Sequence, residues 1–316
     1  MIQDNVKARL IYNPVAGPRD VRRELVQICT YLEQLGWTFE LLATDKPGDG
    51  VTKSRNAAQA GCDVVLVAGG DGSVNEAVNG LVGTETALGV IPVGTGNLWA
   101  KQLGVPTHTL LNPLRLRDVA AGLLKGTVRP VDVGWVNGHH FLCWASVGLD
   151  AQVTTEMEPR DRSTKRLGAL PYIFAAFMVA RDFKGKPAHV LIDGHLVRGR
   201  TLWILMSNIR QYGGVFDVAR DARIDDGLLD IFVFKGVGAF YILRHLVKIL
   251  GNRYLRDPHV VYRQARHVQV NAEDEMAVQV DGDPLNATPV TVKVVPRSLR
   301  ILVPSSAPSA LFCDTS

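Results

Sequence analysis

In residues 1–130, short apolar runs of strand length alternate with segments whose apolar residues recur at helical spacing. The strand-like runs are 8–12, 39–44, 64–68 and 88–93. Between the first two, residues 22–35 keep the helical spacing until Gly36 supplies a stop signal. Repeats of strand, helix and strand favour a doubly wound parallel sheet with helices on both faces. We therefore predict an α/β domain over residues 1–130.

The pattern changes at residue 131, where short apolar runs follow one another with Gly, Asp and Asn between them. These runs are 131–136, 141–146, 189–192, 202–206, 229–234, 267–270 and 276–280. Many short strands with such turns indicate a β-sandwich or a related sheet domain, which we assign to residues 131–297. One amphipathic helix at 238–250 interrupts them. A last strand at 300–304 precedes a polar tail, 305–316, that we expect to fray.

Composition describes an ordinary folded protein of 316 residues, with 47% hydrophobic and 21% charged residues. The four cysteines show no spacing typical of metal ligands, so we expect them to be reduced and mostly buried, as in a cytoplasmic protein. The N-terminus lacks the features of a signal peptide, and no apolar stretch approaches the roughly 20 residues that span a bilayer. A formal net charge of +4 is too small to indicate nucleic-acid binding.

Glycine-rich turns follow two of the strand-like runs in the first domain. Gly69, Gly70 and Gly72 come after 64–68, and Gly94 and Gly96 come after 88–93. Glycines let backbone N–H groups approach phosphates closely, and neighbouring strand ends of a parallel sheet line one crevice. Neither turn is a Walker A loop or a dinucleotide fingerprint. Each alone is equally typical of a plain tight turn, but the pair favours a nucleotide phosphate site.

Five motifs in order specify this chemistry further. They are Asn13-Pro14-x-x-Gly17, Gly69-Gly70-Asp71-Gly72-Ser73-x-Asn75-Glu76, Pro92-x-Gly94-Thr95-Gly96-Asn97-x-x-Ala100, Asp225-Asp226-Gly227-Leu228-Leu229-Asp230 and Val280-Asp281-Gly282-Asp283-Pro284-Leu285. With them the chain resembles the catalytic domain of the diacylglycerol kinase and sphingosine kinase superfamily over nearly its whole length. The resemblance implies an ATP-dependent kinase of a lipid hydroxyl. Its first domain would be like those of NAD kinases and 6-phosphofructokinases, and it would be rejoined by residues 298–316.

Carried over residue by residue, the resemblance also implies a nucleotide site in the first domain. Its residues are Asn13, Thr44, Gly69, Gly70, Asp71, Gly72, Ser73, Asn75, Glu76, Gly94, Thr95 and Asn97. From the residues alone, Thr44 is equally well explained as a threonine that ends a strand. ATP and Mg²⁺ are the cofactors that the resemblance implies.

The remaining implied residues are carboxylates and their neighbours. Asp281 would accept the proton of the lipid hydroxyl, although Asp-Gly is also ordinary chemistry for a hairpin turn. Asp71 and Asp132 would lie near the catalytic Mg²⁺. A second, structural Mg²⁺ would take the Asp226 side chain and the carbonyls of Arg223 and Leu228, because hard cations prefer oxygen ligands. An Asp-Gly turn without metal is the alternative there, and Ca²⁺ is not distinguished from Mg²⁺.

A basic and apolar stretch at 160–186 fits an anionic membrane surface, although a core helix with solvated basic ends explains it as well. The expected partner is therefore a lipid substrate at a membrane, on its inner face for a cytoplasmic protein. We expect no nucleic acid, and a homodimer stays open.

The identity of the acceptor stays open too. Many bacterial diacylglycerol kinases have an aspartate after the counterpart of Asn97, and this chain has Leu98, as in the sphingosine kinase form of the motif. Diacylglycerol-like and sphingoid acceptors both remain. Two other functions are kept as alternatives. One is a kinase of a soluble alcohol, like NAD kinase, and the other is a nucleotide sensor at the membrane surface that catalyses nothing.

Overall fold

A computed structural model describes residues 5–17, 19–107, 116–156, 183–214 and 216–313 of the chain. The chain divides into two compact units. The first comprises Met1–Val133, Ile224–Asp226 and Pro296–Ser316, and the second comprises Gly134–Arg223 and Gly227–Val295. The stretch 160–186, in which the sequence places a membrane-facing or core helix, lies largely outside the described residues.

The first unit is built on a parallel sheet. Its strands are β1 (Lys7–Tyr12), β2 (Thr38–Ala43), β3 (Val64–Gly69) and β4 (Ala87–Pro92), in the order β4-β3-β1-β2. Its helices are α1 (Arg22–Glu33), α2 (Asp49–Gln59), α3 (Asp71–Leu81), α4 (Leu98–Gln102) and α5 (Leu116–Leu124). Every residue of β3 and β4 is buried, as in a sheet covered on both faces. The predicted α/β class is confirmed.

The second unit is dominated by antiparallel strands. They are β5 (Thr127–Val136), β6 (His139–Phe141), β7 (Trp144–Gly148), β8 (Lys186–Ile192), β9 (His195–Ser207), β10 (Gln211–Tyr212), β11 (Phe216–Asp217), β12 (Leu229–Lys235), β13 (Val260–Ala265), β14 (His267–Ala272), β15 (Ala277–Val280), β16 (Asp283–Ala287) and β17 (Val290–Val303). Two of these strands are shared with the first unit: β5 belongs to the second unit from Gly134 onward, and β17 belongs to it up to Val295. Helices α6 (Leu149–Glu156) and α7 (Gly238–Leu250) join them. Side chains from β7, β8, β9, β12, β14 and β15 form one buried core, which agrees with the predicted sandwich class.

One strand runs through both units. The first half of β17 pairs antiparallel with β14, and after Pro296 it pairs parallel with β4 through Ile301 and Leu88. The first unit therefore has a fifth strand supplied by the end of the chain.

The run 141–146 is not the single strand that its apolar sequence predicts. It divides into β6, which ends at Phe141, and β7, which begins at Trp144. The backbone N–H groups of Leu142, Cys143 and Trp144 turn toward the carboxylate of Asp281. Those bonds replace the ladder that a continuous strand needs.

The prediction of a frayed tail is wrong for residues 305–313. Leu311 and Phe312 are buried, the Leu311 carbonyl accepts from the Ile224 N–H at 2.9 Å, and the Cys313 N–H donates to Asp225 at 2.6 Å. This apolar pair and its backbone bonds hold the tail on the first unit.

All four cysteines are free thiols, and three of them are buried, as expected. Within the described residues, no helix is long and apolar enough to cross a bilayer.

Candidate active site

The two glycine turns lie in direct backbone contact. The N–H groups of Val93 and Gly94 donate to the Gly69 carbonyl at 3.2 and 3.3 Å. A Cβ added to Gly94 would lie 2.5 Å from the Gly70 Cα, and one added to Gly69 would lie 2.4 Å from the Ser73 Cβ. Only glycine allows this approach, so the two turns lie side by side in backbone contact at the carboxyl ends of β3 and β4.

The turn after β1 completes the same edge. Asn13 donates its N–H to the Ala68 carbonyl and accepts from the Val15 N–H through its side chain. Gly17 has φ +73°, and a Cβ there would lie 2.0 Å from the Val93 carbonyl oxygen. Gly17 was part of the opening motif but not of the predicted site. Its positive φ and its contact with Val93 show that Gly17 allows the turn after β1 to approach the turn after β4 closely.

Asp71 connects the two glycine turns through its side chain. Its Oδ1 accepts from the N–H groups of Leu98 at 2.6 Å and Trp99 at 3.4 Å, which begin α4. Gly96 packs against the other oxygen, which lies 2.6 Å from where a Cβ would stand. Burial raises the pKa of this carboxyl, and the backbone donors and Lys101 only partly counter the shift. A desolvated carboxylate beside two glycine-rich turns offers oxygen atoms of the kind that hard cations prefer.

Asn97 acts within its own turn. It has φ +51°, its Nδ2 donates to the Gly94 carbonyl at 2.6 Å, and its Oδ1 accepts from the Gly94 N–H at 3.1 Å. The side chain is buried, whereas Thr95 at the tip of the turn is exposed. Asn97 therefore shapes the turn, and Thr95 is left accessible to solvent.

Glu76 reaches from α3 to the turn before α2. Its two oxygens accept from the N–H groups of Gly48 at 2.9 Å and Gly50 at 2.8 Å. A carboxylate at this end of α2 also complements the helix dipole. The turn that it holds begins at Thr44, whose N–H donates to the Tyr12 carbonyl. The structure thus gives Glu76 a supporting role beside the predicted ligand contacts.

The other predicted nucleotide residues lie at the start of α3. Gly72 is exposed and Ser73 is partly buried, while the Oδ1 and carbonyl of Asn75 accept from the Asn79 side chain one turn later. All twelve predicted residues are therefore found at the end of β3, in the turns after β1 to β4, or in the first two turns of α3.

The predicted metal residues are placed in two groups. Asp132 is fully buried in β5, where its carboxylate accepts from the Arg297 N–H at 2.8 Å and its own N–H donates to the Ile224 carbonyl. The structural-metal residues Arg223, Asp226 and Leu228 flank or lie in the segment Ile224–Asp226. The described residues hold no group of three or more His, Cys, Asp or Glu side chains suited to a metal ion. The predicted structural site has one carboxylate and two backbone carbonyls, so the absence of a cluster of three such side chains among the described residues does not test it. Both metal sites stay predictions.

Asp281 occupies a two-residue hairpin turn between β15 and β16. Asp281 has φ +50° and Gly282 φ +91°, the geometry for which Asp-Gly is preferred. Asp281 as a whole residue is 9% exposed, and its carboxylate accepts from the N–H groups of Leu142, Cys143 and Trp144, each at 2.9 Å. Both readings of the motif therefore describe the same residue. The turn is an ordinary hairpin, and it holds a carboxylate rigidly oriented by three backbone donors.

A buried polar network that the sequence analysis missed supports this hairpin. Gln279 accepts from the Gly282 N–H at 2.8 Å and donates to Ser146 at 2.9 Å and to Asp150 at 2.7 Å. Gln279 and Ser146 are almost fully buried. The available signal was a lone glutamine among the apolar residues of a short strand, since a buried amide needs partners.

Comparisons with known proteins match two successive parts of the chain. A family model for the diacylglycerol kinase catalytic domain matches residues 7–136. A second model, for the YegS C-terminal NAD kinase beta sandwich-like domain, matches residues 143–303. The first match covers the glycine turns of the predicted nucleotide site, and the second covers the Asp281 hairpin.

Full-length relatives extend the match. A diacylglycerol kinase of Bacillus subtilis strain 168 is 30% identical over 300 residues, which are 94% of this chain and 96% of that protein. One of Staphylococcus aureus strain bovine RF122 / ET3-1 is 27% identical over 95% of this chain and 93% of its own length. A crystal structure of a protein provisionally described as a diacylglycerol kinase of Bacillus anthracis str. Sterne has a TM-score of 0.77 and 26% identity, with 96% and 98% of the two chains covered. The chain belongs to the diacylglycerol kinase family.

Proposed function

We propose that the protein is an ATP-dependent lipid kinase that phosphorylates a hydroxyl group of a diacylglycerol-like or sphingoid acceptor. The observation that carries the proposal is the backbone contact of the two glycine turns, which leaves a surface with no Cβ at Gly70 or Gly94. Such surfaces suit phosphates, and kinases work mainly by positioning and charge stabilisation. Family membership supports a lipid as the acceptor.

On the donor side, the backbone from Gly69 to Gly72 and from Gly94 to Gly96 would receive the phosphates, with Thr95 exposed beside them. Mg²⁺ would neutralise phosphate charge when bound. The residues proposed to hold it, Asp71 and Asp132, offer the oxygen ligands that this ion prefers. The Asp71 oxygen that does not accept from α4 lies against Gly96 of the second glycine turn.

On the acceptor side, Asp281 would take the proton of the lipid hydroxyl. The hydroxyl oxygen then bonds to the terminal phosphorus, the bond from that phosphorus to the bridging oxygen breaks, and ADP leaves. The three backbone donors to the carboxylate, with Gln279 beneath the turn, hold the base in a fixed position. A cytoplasmic location would supply the ATP.

The test is transfer of labelled phosphate from ATP to a panel of dispersed lipids by the wild type and Asp281→Asn. We expect the variant to lose at least about a hundredfold in kcat, in line with the loss of a general base. Asp283→Asn, in the same hairpin and exposed, is the matched control and should keep its rate.

Stability is measured alongside, because the new amide places an NH₂ group against a backbone N–H. Transfer that persists in a folded Asp281→Asn variant contradicts the base assignment and leaves Asp281 as a turn residue.

Phosphorylation of NAD or another soluble alcohol, with no phosphorylation of lipids, would select the soluble-acceptor alternative. Binding of ATP without any turnover would select a nucleotide sensor.

A further inference from the structure

Helix α7 presents a row of large apolar side chains at the surface of the second unit. Phe240 is 70% exposed, Leu243 60%, Val247 58% and Leu250 66%. Their spacing of three, four and three residues places them in one stripe along the helix. Single exposed apolar residues are common, but a continuous stripe marks an interaction surface.

The opposite face of α7 holds the helix firmly on the unit. Tyr241 and Ile242 pack against the cluster of Val153, Phe183 and Leu202. His245 is buried, with its Nε2 2.8 Å from the Lys235 carbonyl oxygen. The stripe therefore has a fixed orientation, and its exposure does not come from an unpacked helix.

All charged side chains within the segment that contains α7 are basic. Residues 235–256 contain five basic residues and no Asp or Glu, the five being Lys235, Arg244, Lys248, Arg253 and Arg256. Arg244 and Lys248 bind the buried carboxylate of Asp257 at 2.9 and 3.0 Å. Arg253 and Arg256, beyond the C-terminal end of the helix, are exposed.

A cavity of about 240 Å³ lies at that end of α7 and is lined by Arg220, Arg253 and Arg256. Asp221 and Asp230 also line it, and Asp230 is engaged by the Tyr262 hydroxyl at 2.6 Å. Leu255 also lines the cavity and is 52% exposed. The exposed apolar stripe is thus followed by exposed arginines, and we call the stripe together with Arg253, Leu255 and Arg256 the α7 surface.

We propose that the α7 surface docks on an anionic lipid bilayer. The stripe would enter the boundary of the acyl chains, and the arginines beyond it would meet lipid phosphates, as in interfacial amphipathic helices. A second copy of this chain is a poorer occupant, because a twofold interface would bring two basic sets together.

The position of α7 fits the proposed lipid kinase, on which this part of the inference rests. The cluster that carries α7 includes Leu149 and Val153 of α6. The same helix contributes Asp150, which binds Gln279 beneath the Asp281 hairpin. Helix α6 thus contacts both α7 and the network under the Asp281 hairpin. Docking through α7 would therefore hold the membrane against a helix that is packed on the support of the proposed base.

The experiment is sedimentation of the full chain with vesicles, without ATP. One set of vesicles contains equal parts of phosphatidylglycerol and phosphatidylcholine, and the other contains phosphatidylcholine alone. The test variant combines Leu243→Ser, Val247→Ser and Leu250→Ser, and the control is Leu196→Ser, another exposed leucine of the second unit at 46%. We expect the wild type and the control to bind the anionic vesicles and the triple variant to bind at least about tenfold more weakly. Thermal unfolding should be unchanged, since the replaced side chains are exposed.

Three results would overturn the docking surface. They are no binding of the wild type to anionic vesicles, equal binding by the triple variant, or a wild-type dimer in ultracentrifugation that the triple variant converts to a monomer. A kinase assay separates this inference from the proposed function. The triple variant should lose transfer to vesicle-borne lipid but keep transfer to detergent-dispersed lipid. A wild type that binds vesicles and phosphorylates no lipid would disprove the lipid kinase while the docking surface stands.

Discussion

Asp71 shows how one side chain in the candidate site has both a structural and a chemical role. Its carboxylate accepts from the two N–H groups that begin α4 and lies against Gly96. The sequence motif identified the residue and its turn. It could not reveal the bond to α4, because Leu98 lies 27 residues away and no local pattern records that contact.

Two substitutions of Asp71 separate the effect of its acceptor oxygen on stability from the effect of its buried charge. Asp71→Ala leaves the N–H groups of Leu98 and Trp99 without their acceptor, so we expect a loss of about 1–2 kcal/mol in the free energy of unfolding at pH 7. Asp71→Asn keeps an acceptor oxygen and removes a buried charge, so it should cost less than the alanine variant. Urea unfolding gives both values.

The direction of the Asp71 pKa shift determines how this residue's contribution to stability changes with pH. Burial raises the pKa of Asp71, so the folded state disfavours its charged form, and this residue's contribution to stability declines as pH rises from its ordinary range to the raised pKa. Asp71→Asn should remove that decline. Equal destabilisation by Asn and Ala at neutral pH would contradict the capping role.

At the scale of elements, helix α7 contains a buried histidine that reports on its packing. Burial lowers the pKa of His245, although the Lys235 carbonyl and Asp257 act in the other direction and His259 and Arg244 add to the decrease. The folded state therefore resists protonation of this ring. Its contribution to stability is present above the ordinary histidine range and is lost as pH falls through that range toward the lowered pKa.

We expect the urea midpoint of the wild type to fall between pH 7.5 and pH 5.5, and the fall to be smaller in His245→Gln. Glutamine can still donate to the Lys235 carbonyl but does not titrate. The carboxyl of Asp257, whose pKa its Arg244 partner holds far below the usual range, stays charged throughout this window. An identical fall in both proteins would place the pH response elsewhere.

The elements themselves were largely predictable, because periodicity within a segment determines them. Helix α7 occupies the predicted residues 238–250. The break between β6 and β7 was not predictable, since its cause is Asp281, 137 to 139 residues further along the chain. The ordered tail was missed for a similar reason, because Leu311 and Phe312 are a short apolar pair whose partners lie far away in sequence.

For the whole molecule, the alternation of strand-like and helix-like runs indicated the α/β class, the succession of short strands indicated the sandwich class, and the family matches confirm both. The division into units adds a feature that no composition change marks. Segment Ile224–Asp226 belongs with the first unit because Ile224 bonds to Leu311 and to Asp132, while its sequence neighbours belong to the second. Roles of individual site residues stay predictions, since position in a fold does not establish chemistry.

The most direct measurement of the central claim is a crystal structure of the full chain with Mg²⁺ and a non-hydrolysable ATP analogue. The account predicts the phosphates against the backbone N–H groups of the turns that contain Gly70 and Gly94, with a side-chain contact from Thr95. Phosphates bound away from these two turns would contradict it.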